Sequence, residues 1–137
     1  MNNVANLKHL QLQERKALMD LVARLHQRFS HTIRHMLLFG SKVRGSSGTE
    51  SDIDLLIVVE EYSWALEKEI TGLTIQTDYA YNVVLSDHII SNARFEQMAA
   101  RRELLYHSIE AEGIDLWMLE PPSNLFRASK SKKWVTP

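Results

Sequence analysis

The sequence predicts an α/β domain in which a small mixed β-sheet is flanked by helices. Three observations predict it. Short apolar runs, β-branched in the one before Val59, end at Phe39, Val59 and Ile90; the segments before and between them carry apolar residues at three- and four-residue steps; and Gly, Asn or Ser stands at most of the junctions. The chain has 137 residues, of which 45% are apolar and 24% charged. One core of ordinary size fits that length, and two domains do not. No apolar run approaches the roughly 18 residues of a membrane span, and the polar start has neither the basic nor the apolar region of a secretory signal. The expectation is a cytoplasmic protein without membrane contact. Its lack of cysteine agrees with that compartment and removes disulfide frameworks, thiol catalysis and cysteine zinc sites together.

In chain order, Leu7, Leu10, Leu18, Leu21, Val22, Leu25 and Phe29 make one apolar stripe, with Lys8, Gln11, Arg15, Asp20 and Arg24 on the other faces. That is an amphipathic helix. His31 to Phe39 ends in Met36-Leu37-Leu38-Phe39 and meets Gly40, which reads as a buried strand stopped by a glycine turn. Ser41 to Ser51 is rich in Gly, Ser and Thr and reads as a loop. Asp52 to Val59 is too short and too apolar for a surface helix and reads as an interior strand. From Ser63 the helical step returns through Leu66, Ile70, Leu73 and Thr77. Ser63 suits the N-cap, Glu67 and Glu69 lie near the positive end of the helix dipole, and Asn82 suits a left-handed terminator. Gly72 and the threonines weaken helix propensity here, so an extended reading of 73 to 79 competes.

Val83 to Ile90 is the third strand run, with Asp87 and His88 set into it. Ser91 or Asn92 caps a helix through Phe95 and Met98 that resumes at Leu104. After Gly113, Ile114 to Met118 predicts a short edge strand. Pro121-Pro122 ends the domain, so residues 1–120 form it and 121–137 are a basic tail, flexible or bound to a partner, carrying Arg127, Lys130, Lys132 and Lys133.

The net charge of −1 hides a segregation: +4 over residues 1–34, −9 over 35–120 and +4 over 121–137. An acidic centre suits divalent cations and repels bare polyanions, so no specific nucleic-acid partner is expected. The histidines show no zinc spacing, and Trp64, Trp117 and Trp134 are too scattered for a base-stacking platform.

The chemistry concentrates in Phe39-Gly40-Ser41-Lys42-Val43-Arg44-Gly45 and Ser51-Asp52-Ile53-Asp54-Leu55. Side chains alternate along a strand, so Asp52 and Asp54 share one face, about 7 Å apart. Two carboxylates that close raise each other's proton affinity unless a cation compensates. Mg²⁺ is commonly held by one or two carboxylates plus substrate phosphates. Upstream, Gly40 permits a tight turn, Ser41 offers an amide and a hydroxyl to a phosphate, and Lys42 and Arg44 add positive charge.

Gly40-Ser41, ten residues, then Asp52-x-Asp54, with Arg44-Gly45 and Ser51 and Leu55 around them, resembles the signature of the minimal nucleotidyltransferases, small relatives of the polymerase β superfamily. Glu112-Gly113-Ile114-Asp115-Leu116 resembles the way such domains close, so the resemblance covers roughly residues 10 to 118. It implies the polymerase β-like nucleotidyltransferase fold and transfer of a nucleoside monophosphate, AMP from ATP, to an acceptor hydroxyl. It implies two Mg²⁺ ions on Asp52 and Asp54, and the triphosphate on Gly40 and Ser41 with Lys42 or Arg44 neutralising it. It also implies a third carboxylate on the neighbouring strand. Asp87 is the candidate, as the one acid in that run, and Asp78 the alternative if 73 to 79 is extended. Such domains are often paired with HEPN ribonuclease toxins, which implies an antitoxin that adenylates a tyrosine of its partner. An antitoxin acting by binding alone and a small-molecule nucleotidyltransferase remain as rivals.

Overall fold

The computed structural model describes residues 1–46 and 52–119. Residues 47–51 of the polar stretch before Asp52, and the basic tail 121–137, lie outside the described residues. A 3-10 turn, Val4–His9, precedes α1 (Leu12–Phe29). Then come β1 (Ile33–Phe39), α2 (Ser41–Arg44), β2 (Ile53–Val59), α3 (Trp64–Tyr81), β3 (Leu85–Ser91), α4 (Asn92–Ala100), α5 (Leu104–Glu112) and β4 (Ile114–Asp115).

The sheet is mixed, in the order β3-β2-β1-β4, with β2 and β3 parallel and β1 antiparallel to both of its neighbours. A parallel pair needs a crossover, and α3 supplies it. Alternation along the strands builds two cores. Met36, Leu38, Ile53, Leu55, Ile57 and Val59 face α1 and α3, whose Leu18, Leu21, Leu25, Ile70 and Leu73 fill that side. Leu37, Leu56 and Val58 face α4 and α5 with Phe95, Met98 and Ile109. A strand covered on both faces has no polar side, which is why β2 after Asp54 reads as an unbroken apolar run.

The N-terminal apolar stripe is divided. Leu10 is extended, and α1 begins afresh behind a capping box made by Gln11 and Glu14. The expected loop after Gly40 opens instead with the single turn α2. α3 forms in full in spite of Gly72: Ser63 Oγ accepts from Leu66 N–H at 3.1 Å, Asn82 ends the helix at φ +55°, and the Thr74 and Thr77 hydroxyls return to the carbonyls of Ile70 and Leu73. Burial of the Ile70 and Leu73 face outweighs the propensity deficit, which removes the extended reading of 73 to 79. Tyr81 of α3 donates to buried Asp20 of α1 at 3.2 Å, and burial pushes the phenol up to about 12. Ser91 Oγ accepts from Arg94 N–H at 3.1 Å and starts α4.

β4 is the expected edge strand, shorter than predicted. Its Asp115 is buried, accepts from the Met36 and Trp117 amides at 3.2 and 3.1 Å, and meets His35 Nδ1 at 2.6 Å. Trp117 then stacks on His26 of α1 with ring centres 3.5 Å apart. Among the described residues no helix is long and apolar enough to cross a membrane.

Ser63→Ala should remove the α3 cap and lower stability by about 1 kcal/mol. Leu38→Ala, which empties a fully buried site, should lower it by about 2–5 kcal/mol. Urea unfolding monitored by circular dichroism checks both, and the order of the two effects is the firmer expectation.

Candidate functional site

The site lies where the end of β1 meets the start of β2. In this antiparallel pair Phe39 stands opposite Asp54, so the residue after Phe39 turns beside the Asp54 carboxylate. That residue is Gly40, at φ +91° and ψ −164°, a region essentially confined to glycine. A Cβ there would collide with Asp54 Oδ2. Having no side chain, Gly40 brings main chain and carboxylate together. Its carbonyl accepts from the Val43 and Arg44 amides at 3.2 and 3.3 Å, which starts α2, and Gly45 at φ +75° ends it. The first N–H groups of a helical turn have no partner within the turn. The Ser41 amide is one of them, immediately after the glycine that abuts Asp54.

Asp52 is exposed, one residue ahead of β2, and Asp54 is half-buried within it. Burial and then the Asp52 charge hold the Asp54 carboxyl above the usual range, while His88 and Arg44 pull it back. Asp54 lies on the sheet face of Leu56 and Val58. In the register Leu56 stands beside His88, which places His88 on that face too. Arg44 contributes its charge from α2 and meets Glu112 Oε1 at 3.4 Å. A carboxyl at Asp54 whose ionisation burial and the Asp52 charge disfavour, beside a main-chain turn with an open amide, fits a hard divalent cation. Among the described residues there is no group of three or more His, Asp or Glu side chains that could hold a metal ion. Asp52 and Asp54 are the residues here that could hold a hard divalent cation, with oxygens of a phosphate or water completing its shell.

The structure brings Gly40, Ser41, Asp52, Asp54 and Arg44 to one end of the sheet. Two other candidates sit elsewhere. Lys42 is not a solvated loop cation: its ammonium is buried and donates to Glu14 Oε2 at 2.6 Å. Asp87 pairs with Leu55, which faces α1 and α3, and its carboxylate accepts from Thr71 and Thr74 of α3 at 3.1 and 3.0 Å. It thus points to the face opposite Asp54. Asp78 is helical, accepts from the Leu85 amide at 2.9 Å, and is raised by burial, with the Asp87 and Asp52 charges adding to it. His88 was missed in the sequence as one histidine among several. Its position becomes legible only when the register sets Ser86 and His88, rather than Asp87, on the Asp54 side.

Residues 20–118 match the family described as Polymerase beta, Nucleotidyltransferase. A relative from Methanocaldococcus jannaschii named as a protein adenylyltransferase is 43% identical over 47 residues, covering 34% of this chain and 47% of that protein. The chain thus matches about half the length of that curated relative. A solved structure described as a toxin-antitoxin with AMP-PNP is similar at 16% identity, covers 81% of this chain and 82% of its own, and superposes with a TM-score of 0.48.

Gly40→Ala should lower stability by about 1–3 kcal/mol through backbone strain and push the Asp54 carboxylate aside; calorimetry should then show weaker Mg²⁺ uptake than in the unaltered protein. Asp54 also predicts a pH effect. A carboxyl raised in the folded state binds more protons than in the unfolded one between its ordinary value of 3.8 and the raised value, so its ionisation weakens the fold above that window. Without metal, Asp54→Asn should raise the melting temperature at pH 7, and the gain should vanish as the pH falls below 3.8. Thermal melts across pH check the sign.

Proposed function

The chain belongs to the polymerase β nucleotidyltransferase family, and from that premise we propose that it transfers AMP from ATP to a hydroxyl of a protein, with Mg²⁺ held by Asp52 and Asp54. The carrying observation is the close approach of the Gly40 main chain to the Asp54 carboxylate, which supports a reading of the turn as binding an anion beside a carboxylate pair that binds a cation. The Ser41 amide and hydroxyl bind the triphosphate, and Arg44 neutralises its outer charge. In the reaction the acceptor oxygen forms a bond to the α-phosphorus while the bond from that phosphorus to the bridging oxygen breaks. Pyrophosphate leaves with the electron pair, and the acceptor's proton is released. The bound cation would supply charge stabilisation for the attacking and leaving oxygens.

A protein acceptor is supported by the name of the archaeal relative, which shares 43% identity over the matched stretch. The acceptor we propose is a tyrosine of a HEPN ribonuclease toxin, with this chain as the cytoplasmic antitoxin. The resemblance of Gly40-Ser41 and Asp52-x-Asp54 to the minimal nucleotidyltransferases supports it. The basic segment 121–137 is proposed as part of that docking surface.

A second reading has its own observation. Asp87 faces α3, which leaves Asp52 and Asp54 as the candidate carboxylates among the described residues at the site and favours an antitoxin that retains the nucleotide-site shape and neutralises its partner by binding alone.

Incubation of the protein with labelled ATP, Mg²⁺ and the partner encoded beside it, followed by mass measurement of that partner, separates the two readings. Mass gains in steps of one AMP support transfer, and a tight complex of unchanged masses supports binding alone. Asp52→Ala and Asp54→Ala should each reduce transfer by at least about 100-fold while the far-ultraviolet spectrum stays native, because removing a metal ligand removes charge stabilisation made in the transition state. Full activity in both variants would eliminate the mechanism.

A further inference from the structure

α2 is a single turn of four residues, and a turn that short does not hold itself. Besides its packing on β1 and β2, it is anchored by the N-terminal segment. Lys42 Nζ donates to Glu14 Oε2 at 2.6 Å, with the two side chains 3% and 7% exposed. The other oxygen, Glu14 Oε1, accepts from the Gln11 amide at 2.8 Å and completes the capping box of α1. One carboxylate therefore joins the first turn of α1 to the residue that follows Ser41. Val43 is fully buried, and at the far end of the turn Gly45 lies so close to the His9 ring that a Cβ would clash. Desolvation of a buried ammonium and carboxylate offsets much of their attraction, so an apolar pair of similar volume would hold the turn about as firmly. The directional contact adds placement: it sets where the turn sits, where apolar contacts alone would let it shift.

We infer that Glu14 is a positioning residue of the nucleotide site, holding α2 through Lys42 so that the Ser41 amide stays beside Asp54; the inference rests on the nucleotide reading proposed above. In this arrangement Lys42 anchors the phosphate-binding turn from beneath, and the ammonium does not meet the phosphates.

The test titrates the full chain with Mg²⁺ and AMP-PNP by calorimetry, well below each variant's unfolding midpoint, for Glu14→Gln, Lys42→Met and the two combined. Glu14→Gln keeps an acceptor for the Gln11 amide and removes the charge alone. Each single variant should weaken AMP-PNP binding about tenfold, and the pair together by about the same factor rather than its square, as expected for two residues acting as one unit. The double variant removes both charges of this pair together, so its midpoint should recover relative to Lys42→Met while its affinity does not. If a single variant fails to fold, the double variant carries the reading, and an affinity like that of the unaltered protein would overturn the inference. Loss of affinity in Lys42→Met with none in Glu14→Gln would mean that the ammonium meets the phosphates itself, and the inference fails. Lowered midpoints with unchanged affinities would make the pair an ordinary stability element, with the same consequence. An unaltered protein that takes up no AMP-PNP overturns the nucleotide reading, and that failure is visible before any variant is made.

Discussion

The close approach of the Gly40 main chain to the Asp54 carboxylate is the constraint around which the rest of the site is arranged. It requires a backbone conformation that only glycine adopts without strain, and it requires the end of β1 to lie against the start of β2. Antiparallel pairing meets the second requirement by setting Phe39 opposite Asp54. The turn that follows has nowhere to go except past the carboxylate. Main-chain donors and a strained negative charge thus share a boundary before any ligand arrives, which is preorganisation in the ordinary sense. Side-chain placement elsewhere in the protein can be read as support for that boundary.

Buried charges mark where the support is applied. Glu14 and Lys42 tie α1 to the turn, Asp20 ties α1 to α3 through Tyr81, and Asp115 ties β4 to β1 through His35 and the Met36 amide. None of these groups is exposed enough to be kept for solubility. Each satisfies its oxygens with specific donors, as a carboxylate in a low-dielectric interior must. The two apolar cores supply most of the stability, and the ionic contacts supply alignment between elements that apolar packing alone would leave free to slide.

Much of this was legible in the residues. The three strand runs, the helix capped by Ser63 and ended by Asn82, the cap at Ser91 and the edge strand after Gly113 follow from local chemistry, and local chemistry does not change on folding. The Gly40-Ser41 and Asp52-x-Asp54 pair was legible for the same reason: each half is a strand terminus, and sequence spacing across one short connection limits how far apart the halves can lie. The burial of Lys42 was hidden because a lysine in a polar segment gives no sign of the carboxylate 28 positions earlier that it meets. The break at Leu10 was hidden too, since apolar residues on both sides keep the helical step.

The sequence by itself determined the α/β class, the periodicities, the caps and the two ends of the site, because these depend on neighbours a few residues apart. Tertiary structure alone decided which acidic side chains meet. Asp87 and His88 are consecutive, and in β3 consecutive side chains point to opposite faces, so pairing Asp54 with Ser86 turns Asp87 toward Thr71 and Thr74 and His88 toward the site. A register shifted by one residue would have exchanged them. That choice is made by the packing of α3 and by the long-range ladder between β2 and β3, neither of which is written in any short stretch of the chain.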